Sequence, residues 1–548
     1  MNKLLQSRGV AGAVAGVLAA GLALGSAQLA AGFIAAESSP VVAVGSAFID
    51  ITPRWLKEFA IRTFGENDKI VLLAGIVVTL ALFAVAVGIV AVRRLNAGIL
   101  GVGMFGIIGA AAVLSRPTAE FVHIVPSLVG AAFGSAALAL LVSRIRRPDR
   151  TADTGTAAAA GTGPAAGTGP AGGSGRLSRL SDRLTAGDRK GAGYDRRGFL
   201  LTSLAVGGAA AASGTAGRQL LASRFSVSAS RGDVKIPAPA SPAPPVPAGT
   251  ALTVDGLPRY YTRNADFYRV DTNLVVPKVS PEQWRLKIHG MVDNEIALDF
   301  QQLLERRLIE RDITLTCVSN EVGGPYVGTA RWIGAPLRDL LREAGVDRRA
   351  DQLVSRSVDG FSIGTPTRAV MDGRDAMLAV AMNGEPLPIE HGFPVRMVVP
   401  GLYGYASATK WVVDLELTTF DAFDAYWVER KWSREGPIKT MSRIDTPRPL
   451  AGLNSGKVAV AGVAYAQQRG IDKVEVRVDG GEWNPARLSA ENGIDTWRQW
   501  VWQWDATPGQ HTLEVRATDR TGATQPSARA NPFPNGATGW HSVVVIVS

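Results

Sequence analysis

At 548 residues the chain is long enough for several domains. Its formal charge is +10, but the Lys and Arg residues lie beside apolar runs, which favours membrane topology over nucleic-acid binding. A single cysteine excludes an intramolecular disulfide and a cysteine-held iron–sulfur cluster, and a mean hydropathy of +0.11 points to membrane segments.

Four apolar runs come first, at 9–36, 70–92, 97–114 and 121–143. Each is about long enough to cross hydrocarbon as a helix. The second, IVLLAGIVVTLALFAVAVGIVAV, has no charge at all. The first exceeds the apolar core of a signal peptide and is followed by further spans, so an uncleaved helix is expected. Residues 1–147 thus read as a four-helix membrane region. Lys3 and Arg8, Arg93 and Arg94, and Arg144, Arg146 and Arg147 flank these runs. By the positive-inside rule all three clusters fall on one side, with a cytoplasmic N-terminus. The stretch 37–69 is then an outside loop.

Residues 148–197 are rich in Ala, Gly, Thr, Ser and Arg and read as a flexible linker. Arg196 and Arg197 precede a run of small apolar residues, a pattern resembling a twin-arginine export signal. Residues 198–217 read as a fifth membrane helix running outward. The Pro/Ala-rich stretch 218–250 reads as a semi-rigid spacer. Everything beyond it is then extracytoplasmic.

From 251 to 435, strand patterns such as QWRLKIHGMV and FPVRMVVP mix with helical ones such as FQQLLERR, an α+β pattern. Within it lies TLTCVSNEVGGPYVGTARWIGAPLRDLL. TLTCV reads as a strand ending at Cys317, followed by a Gly-rich loop, and RWIGAPLRDLLREAGV reads as an amphipathic helix. From 436 to 548, KVEVRVDGGEW, HTLEVRATD and WHSVVVIV alternate apolar and polar residues between turns, the pattern of a β-sandwich. On the WRQWVWQW strand, Trp500, Trp502 and Trp504 share one face, either toward the sandwich core or toward a partner.

The Cys317 stretch and HGFPVRMVVPGLYGYASATKW, at 391–411, resemble the sulfite oxidase family of molybdopterin enzymes from about residue 255 onward. The resemblance implies a molybdenum–molybdopterin cofactor with Cys317 as metal ligand and catalytic residue. A soft thiolate suits such a metal. It also implies a C-terminal immunoglobulin-like dimerisation domain, hence a homodimer. In RNADFYRVD it carries Tyr268 and Arg269 over as cofactor-binding residues; in the second stretch it carries His391, Arg396, Ser407 and Lys410. Two departures stand out. Arginines commonly follow the cysteine in the family, where this chain has Glu321 and Val322. A metal-side tyrosine is replaced by Val380, ahead of AMNG. An oxyanion pocket needs positive charge, so a substrate other than sulfite is expected.

The chain has no Walker A sequence, zinc-type cluster or CxxCH, and its five histidines cannot supply a bis-His membrane haem. With no haem or iron–sulfur cluster expected, an outside electron-transfer partner is needed. The reading is a multi-pass cell-membrane protein: N-terminal transmembrane helices, an α+β molybdopterin domain and an immunoglobulin-like sandwich, acting on a small molecule. The alternative is a non-catalytic membrane protein that uses the domain as a binding or assembly module.

Overall fold

The computed structural model describes residues 8–53, 56, 59, 63, 68–116, 119–147, 195–224 and 227–548. Lys3 and residues 148–194 of the linker expected at 148–197 lie outside the described residues. The chain divides into two compact units, Met1–Arg224 and Phe225–Ser548.

In the first unit, α1 (Arg8–Ile34), α2 (Pro40–Ile51), α3 (Asp68–Arg93), α4 (Leu95–Leu114), α5 (Val125–Arg146) and α6 (Arg196–Arg224) follow in order. Five stretches are long and apolar enough to cross a membrane: Arg8–Ile34, Val71–Arg93, Leu95–Leu114, Phe121–Arg146 and Arg196–Leu221. The expected outside loop at 37–69 contains α2, which is apolar but too short for such a span. α1 is the centre of the unit and packs on α3, α5 and α6. Small residues allow this. A Cβ on Gly16 would collide with the Ala84 carbonyl, and one on Gly88 with that of Gly12. Close backbone approach of this kind is how helices associate where the surroundings are as apolar as the side chains. One end of the unit gathers the arginines. Arg146 donates to the Ala91 and Val92 carbonyls at 2.9 and 3.1 Å, and Arg144 lies 3.7 Å from Asp195 at the start of α6.

In the second unit a short helix, α7 (Val227–Asp233), leads into an extended segment. This corrects the expected 218–250 spacer. Val227 is buried among Phe267, Ile309, Trp332 and Phe393, and Ser241 pairs with Ile309. The prolines keep the segment extended without making it a free tether.

The α+β region has two sheets. The first joins β1 (Arg285–Gly290), β2 (Ile296–Asp299), β5 (Gln352–Ser357), β6 (Ser362–Pro366) and β10 (Val412–Thr418) in the order β2-β1-β10-β5-β6. The second joins β3 (Ile309–Thr316), β4 (Val327–Pro336), β7 (Met377–Met382) and β8 (Glu385–Pro386), with β9 (Arg396–Val398) on β7. The helix expected from Arg331 begins only at Leu337 and ends at Ala344. Gly334 and Pro336 disfavour helix, and Arg331–Pro336 instead pairs with β3 and β7. Leu337, Leu340, Leu341 and Ala344 are the buried face of the helix that does form.

The C-terminal sandwich stacks a four-stranded sheet on a five-stranded one. Trp500 and Trp504 are buried in its core, and Trp502 packs against it. The tryptophan face therefore fills the sandwich. Trp497, on the other side, donates its indole N–H to the Tyr260 carbonyl at 3.0 Å and ties sandwich to α+β region.

Candidate cofactor site around Cys317

Cys317 lies one residue beyond the end of β3, at the edge of the second sheet. Its backbone N–H donates to the Tyr326 carbonyl at 3.0 Å, and its carbonyl accepts from Asn320 N–H at 3.1 Å. The loop is thus closed on itself beneath the sulfur. The Asn320 side chain accepts from Tyr326 N–H at 2.9 Å and closes it further. Gly323 has φ +82°, and a Cβ there would strike the His541 ring of the sandwich, so the loop seats on the sandwich only as glycine. The thiol is half-buried and lies 2.9 Å from the Ser319 hydroxyl. Burial pushes its pKa up, and Ser319 and the charge on Lys410 oppose that.

β3 is held from the sandwich side. Trp497 N–H donates to Thr314 Oγ1 at 2.8 Å, and Thr314 N–H donates to the Asp495 carbonyl at 2.9 Å. Gln467 Nε2 donates to the Thr314 carbonyl.

Arg396 begins β9 and is 5% exposed. Its guanidinium donates to the carbonyls of His391 at 3.1 Å and Ala408 at 3.5 Å, and stacks over Trp332 at 5.1 Å. Its buried Nε has no partner in the structure, and no salt bridge to a carboxylate holds it among the described residues. Burial lowers its pKa to about 10. Lys410 donates to Asp271 Oδ2 at 2.9 Å and to the Glu390 carbonyl at 3.2 Å. Burial lowers it to about 8 against the pull of Asp271. Arg269 shares the same carboxylate oxygen at 2.9 Å. One aspartate therefore serves two cations, and with Arg396 the cluster carries excess positive charge. An uncompensated buried guanidinium is costly unless an anion joins it. A phosphate-bearing group meets that need through charge-assisted hydrogen bonds.

His391 is buried, and its Nε2–H donates to the Asn264 carbonyl at 3.1 Å. Burial first, then Arg396 and Lys410, lower its pKa to about 4, so it is a neutral imidazole. Tyr268 stacks on Phe267 at 5.3 Å, and burial first, then the Cys317 charge, raise its pKa. The Ser407 hydroxyl is used inside the loop, at 3.0 Å from the Leu402 and Tyr403 carbonyls. Its backbone N–H donates to the Gly404 carbonyl at 3.3 Å. Electrostatic coupling joins Cys317, Tyr268, Arg396 and Lys410 into one group, with His391 attached through Arg396. The sequence reading missed Asp271, Asn264 and Ser319. Asp271 ends RNADFYRVD, the segment already singled out, and a carboxylate between two cations was the available signal.

Residues 273–427 match the oxidoreductase molybdopterin-binding domain, and 442–515 match a bacterial Ig domain. The chain carries a sulfite oxidase-family molybdopterin oxidoreductase domain. Mitochondrial sulfite oxidase of Homo sapiens is 29% identical over 344 residues, covering 53% of this chain and 61% of the human protein. NADH nitrate reductase of Spinacia oleracea is 26% identical over 332 residues, covering 50% of this chain and 34% of that protein. Among solved structures, the sulfane dehydrogenase SoxCD of Paracoccus pantotrophus is 25% identical, with TM-score 0.47, over 53% of this chain and 84% of that one. The match to the human relative thus takes in about three-fifths of its length. In the sulfite oxidase-family domain, the positions expected to bear arginine and tyrosine are held differently. Val322 is buried among apolar residues, and Val380 is sealed inside β7.

Proposed function

We propose that the chain is a membrane-anchored molybdopterin-dependent oxidoreductase whose extracytoplasmic domain acts on a small molecule other than sulfite. Arg396 carries this reading: a buried guanidinium with an unpartnered Nε, stacked over Trp332. Cys317 is the metal ligand. Arg396 and Lys410 take the anionic end of the pterin, while Tyr268, Arg269, His391 and the Ser407 backbone line it. Bound there, molybdenum–molybdopterin supplies two-electron, oxygen-atom chemistry.

The residues of the chain do the rest. β3, clamped by Thr314 to the sandwich, fixes where the sulfur stands. Asp271 keeps Lys410 and Arg269 in place without cancelling Arg396. The neutral His391 offers no charge to the pocket. Glu321 and Val322 stand where the resemblance expects arginines, so the cations an oxyanion needs are missing there, and the buried Val380 replaces a tyrosine, which argues against sulfite. Electrons pass to or from a partner outside this chain, and the sandwich pairs two chains.

The test is metal and pterin analysis of the full chain purified in detergent, followed by a substrate screen with an artificial electron donor or acceptor. One molybdenum per chain, lost together with turnover in Cys317→Ser, is the expected result. An empty site in protein matured with its cofactor supply would favour a binding or assembly module instead. Efficient sulfite turnover would refute the substrate reading.

A further inference from the structure

The segment that leaves the last apolar helix reaches the cofactor site by a closed set of contacts. Arg231, in α7, donates through Nε to the Leu387 carbonyl at 2.8 Å and through Nη2 to the Pro386 carbonyl at 2.6 Å. The same Nη2 lies 3.0 Å from Glu385 Oε2. The other oxygen of Glu385 accepts from Asn264 Nδ2 at 2.5 Å, and Asn264 is further held by Asn383 at 2.8 Å. The Asn264 carbonyl then accepts from His391 Nε2 at 3.1 Å. His391 also ends the short 3-10 helix that begins two residues after Leu387. The contacts form a ring: Arg231, Glu385, Asn264, His391, and back along the chain to Leu387.

We propose that Arg231 is a positioning residue for the cofactor site, holding Asn264 and His391 in register from the membrane-proximal segment. The proposal rests on the reading of His391 as a cofactor-binding residue. Two routes run from one guanidinium to His391, one through side chains and one through four residues of backbone, so loosening Arg231 relaxes both. A planar fork that takes two adjacent carbonyls and a carboxylate is a geometry lysine cannot reproduce. A plain anchoring role would instead make Arg231 equivalent to any other contact of this segment. Ser241 supplies that comparison. Its N–H donates to the Leu308 carbonyl at 3.3 Å and its carbonyl accepts from Glu310 N–H at 2.9 Å, with no link to His391.

The experiment is amide hydrogen exchange on the full chain in detergent, comparing wild type with Arg231→Ala, Arg231→Lys and Ser241→Pro. Exchange at 262–266 and 389–393 should speed about tenfold in Arg231→Ala and recover in part in Arg231→Lys. It should stay at the wild-type rate in Ser241→Pro, where only the 308–312 region loosens. Pterin release after buffer exchange should quicken in the same order. Unchanged exchange at both segments in Arg231→Ala, or an equal rise in Ser241→Pro, overturns the proposal. If Arg231→Ala does not fold, Glu385→Gln, which weakens only the side-chain route, must still raise exchange at 262–266. If wild type proves to hold no pterin, the cofactor reading fails, while the exchange data still decide whether Arg231 holds His391.

Discussion

At the scale of single residues, Arg396 and His541 carry opposite lessons about buried charge. Arg396 is ionised and short of partners, so in cofactor-free protein it is a liability. Arg396→Gln should leave the cofactor-free chain as stable as wild type or stabilise it by about 1–3 kcal/mol. The same change should weaken pterin retention by roughly 100-fold, the loss of two charge-assisted bonds. Thermal unfolding with and without cofactor separates the two effects. A strongly destabilised cofactor-free variant would show that Arg396 is structural. His541 is kept neutral instead: burial, then Arg443 and Arg529, lower its pKa to about 4, while Nδ1 accepts from Ile444 N–H at 3.0 Å. Its folded pKa lies below the unfolded value of about 6.5, so between those values the unfolded chain binds the extra proton. Stability from this residue is complete above about pH 6.5 and falls by up to about 1.4 kcal/mol per pH unit as pH drops toward 4. His541→Asn keeps an acceptor and removes the titration. Denaturant unfolding of this variant should show a shallower acid slope over that window, and an unchanged slope would refute the assignment.

At the scale of elements, the decisive feature is the segment that runs from α7 along β3. β3 is an edge strand, and an uncovered edge pairs with whatever reaches it. Ser241 and Ala243 cover it, the latter donating to Glu310 Oε2 at 3.0 Å, while Val227 and Val234 pack beneath. A soluble fragment of residues 227–548 should therefore be more stable than one of 251–548 by at least about 3 kcal/mol, from the lost hydrogen bonds and apolar burial. Equal denaturation midpoints would show the segment to be a passive tether. In sedimentation the longer fragment should run as a dimer at micromolar concentration, and the shorter one should aggregate through β3. Much of the element pattern was legible beforehand. β1 and several of the sandwich strands follow from periodicity, and the long apolar helices from the length of uninterrupted apolar runs. The helix at Leu337 was placed six residues early, because a partner strand, not local propensity, decides the state of Arg331–Pro336. The segment around Ser241 was read as a spacer because proline marks extended backbone whether it is docked or free.

At the scale of the whole molecule, the gathering of arginines makes the expected membrane topology testable. Arg93, Arg144 and Arg146 meet at one end of the helical unit, beside the start of α6. If that end is cytoplasmic, Arg196 and Arg197 stand at an export signal, and Arg196→Lys with Arg197→Lys should strand the catalytic domain inside. Protease added to spheroplasts should then spare residues 227–548, and normal digestion in the double variant would reduce the pair to topology anchors. The sequence by itself determined the number of long apolar runs, the single cysteine and the family of the domain. Those rest on composition and on short contiguous motifs, which survive being read one residue at a time. Only the tertiary structure decided that Arg396 lacks a carboxylate partner among the described residues and that Asp271 serves two cations. It also decided that the tryptophan face is core, and that Arg231 reaches His391 across more than a hundred residues of chain. Each of these is a statement about which distant groups share a low-dielectric space, and burial sets both the cost of a charge and the worth of its partner.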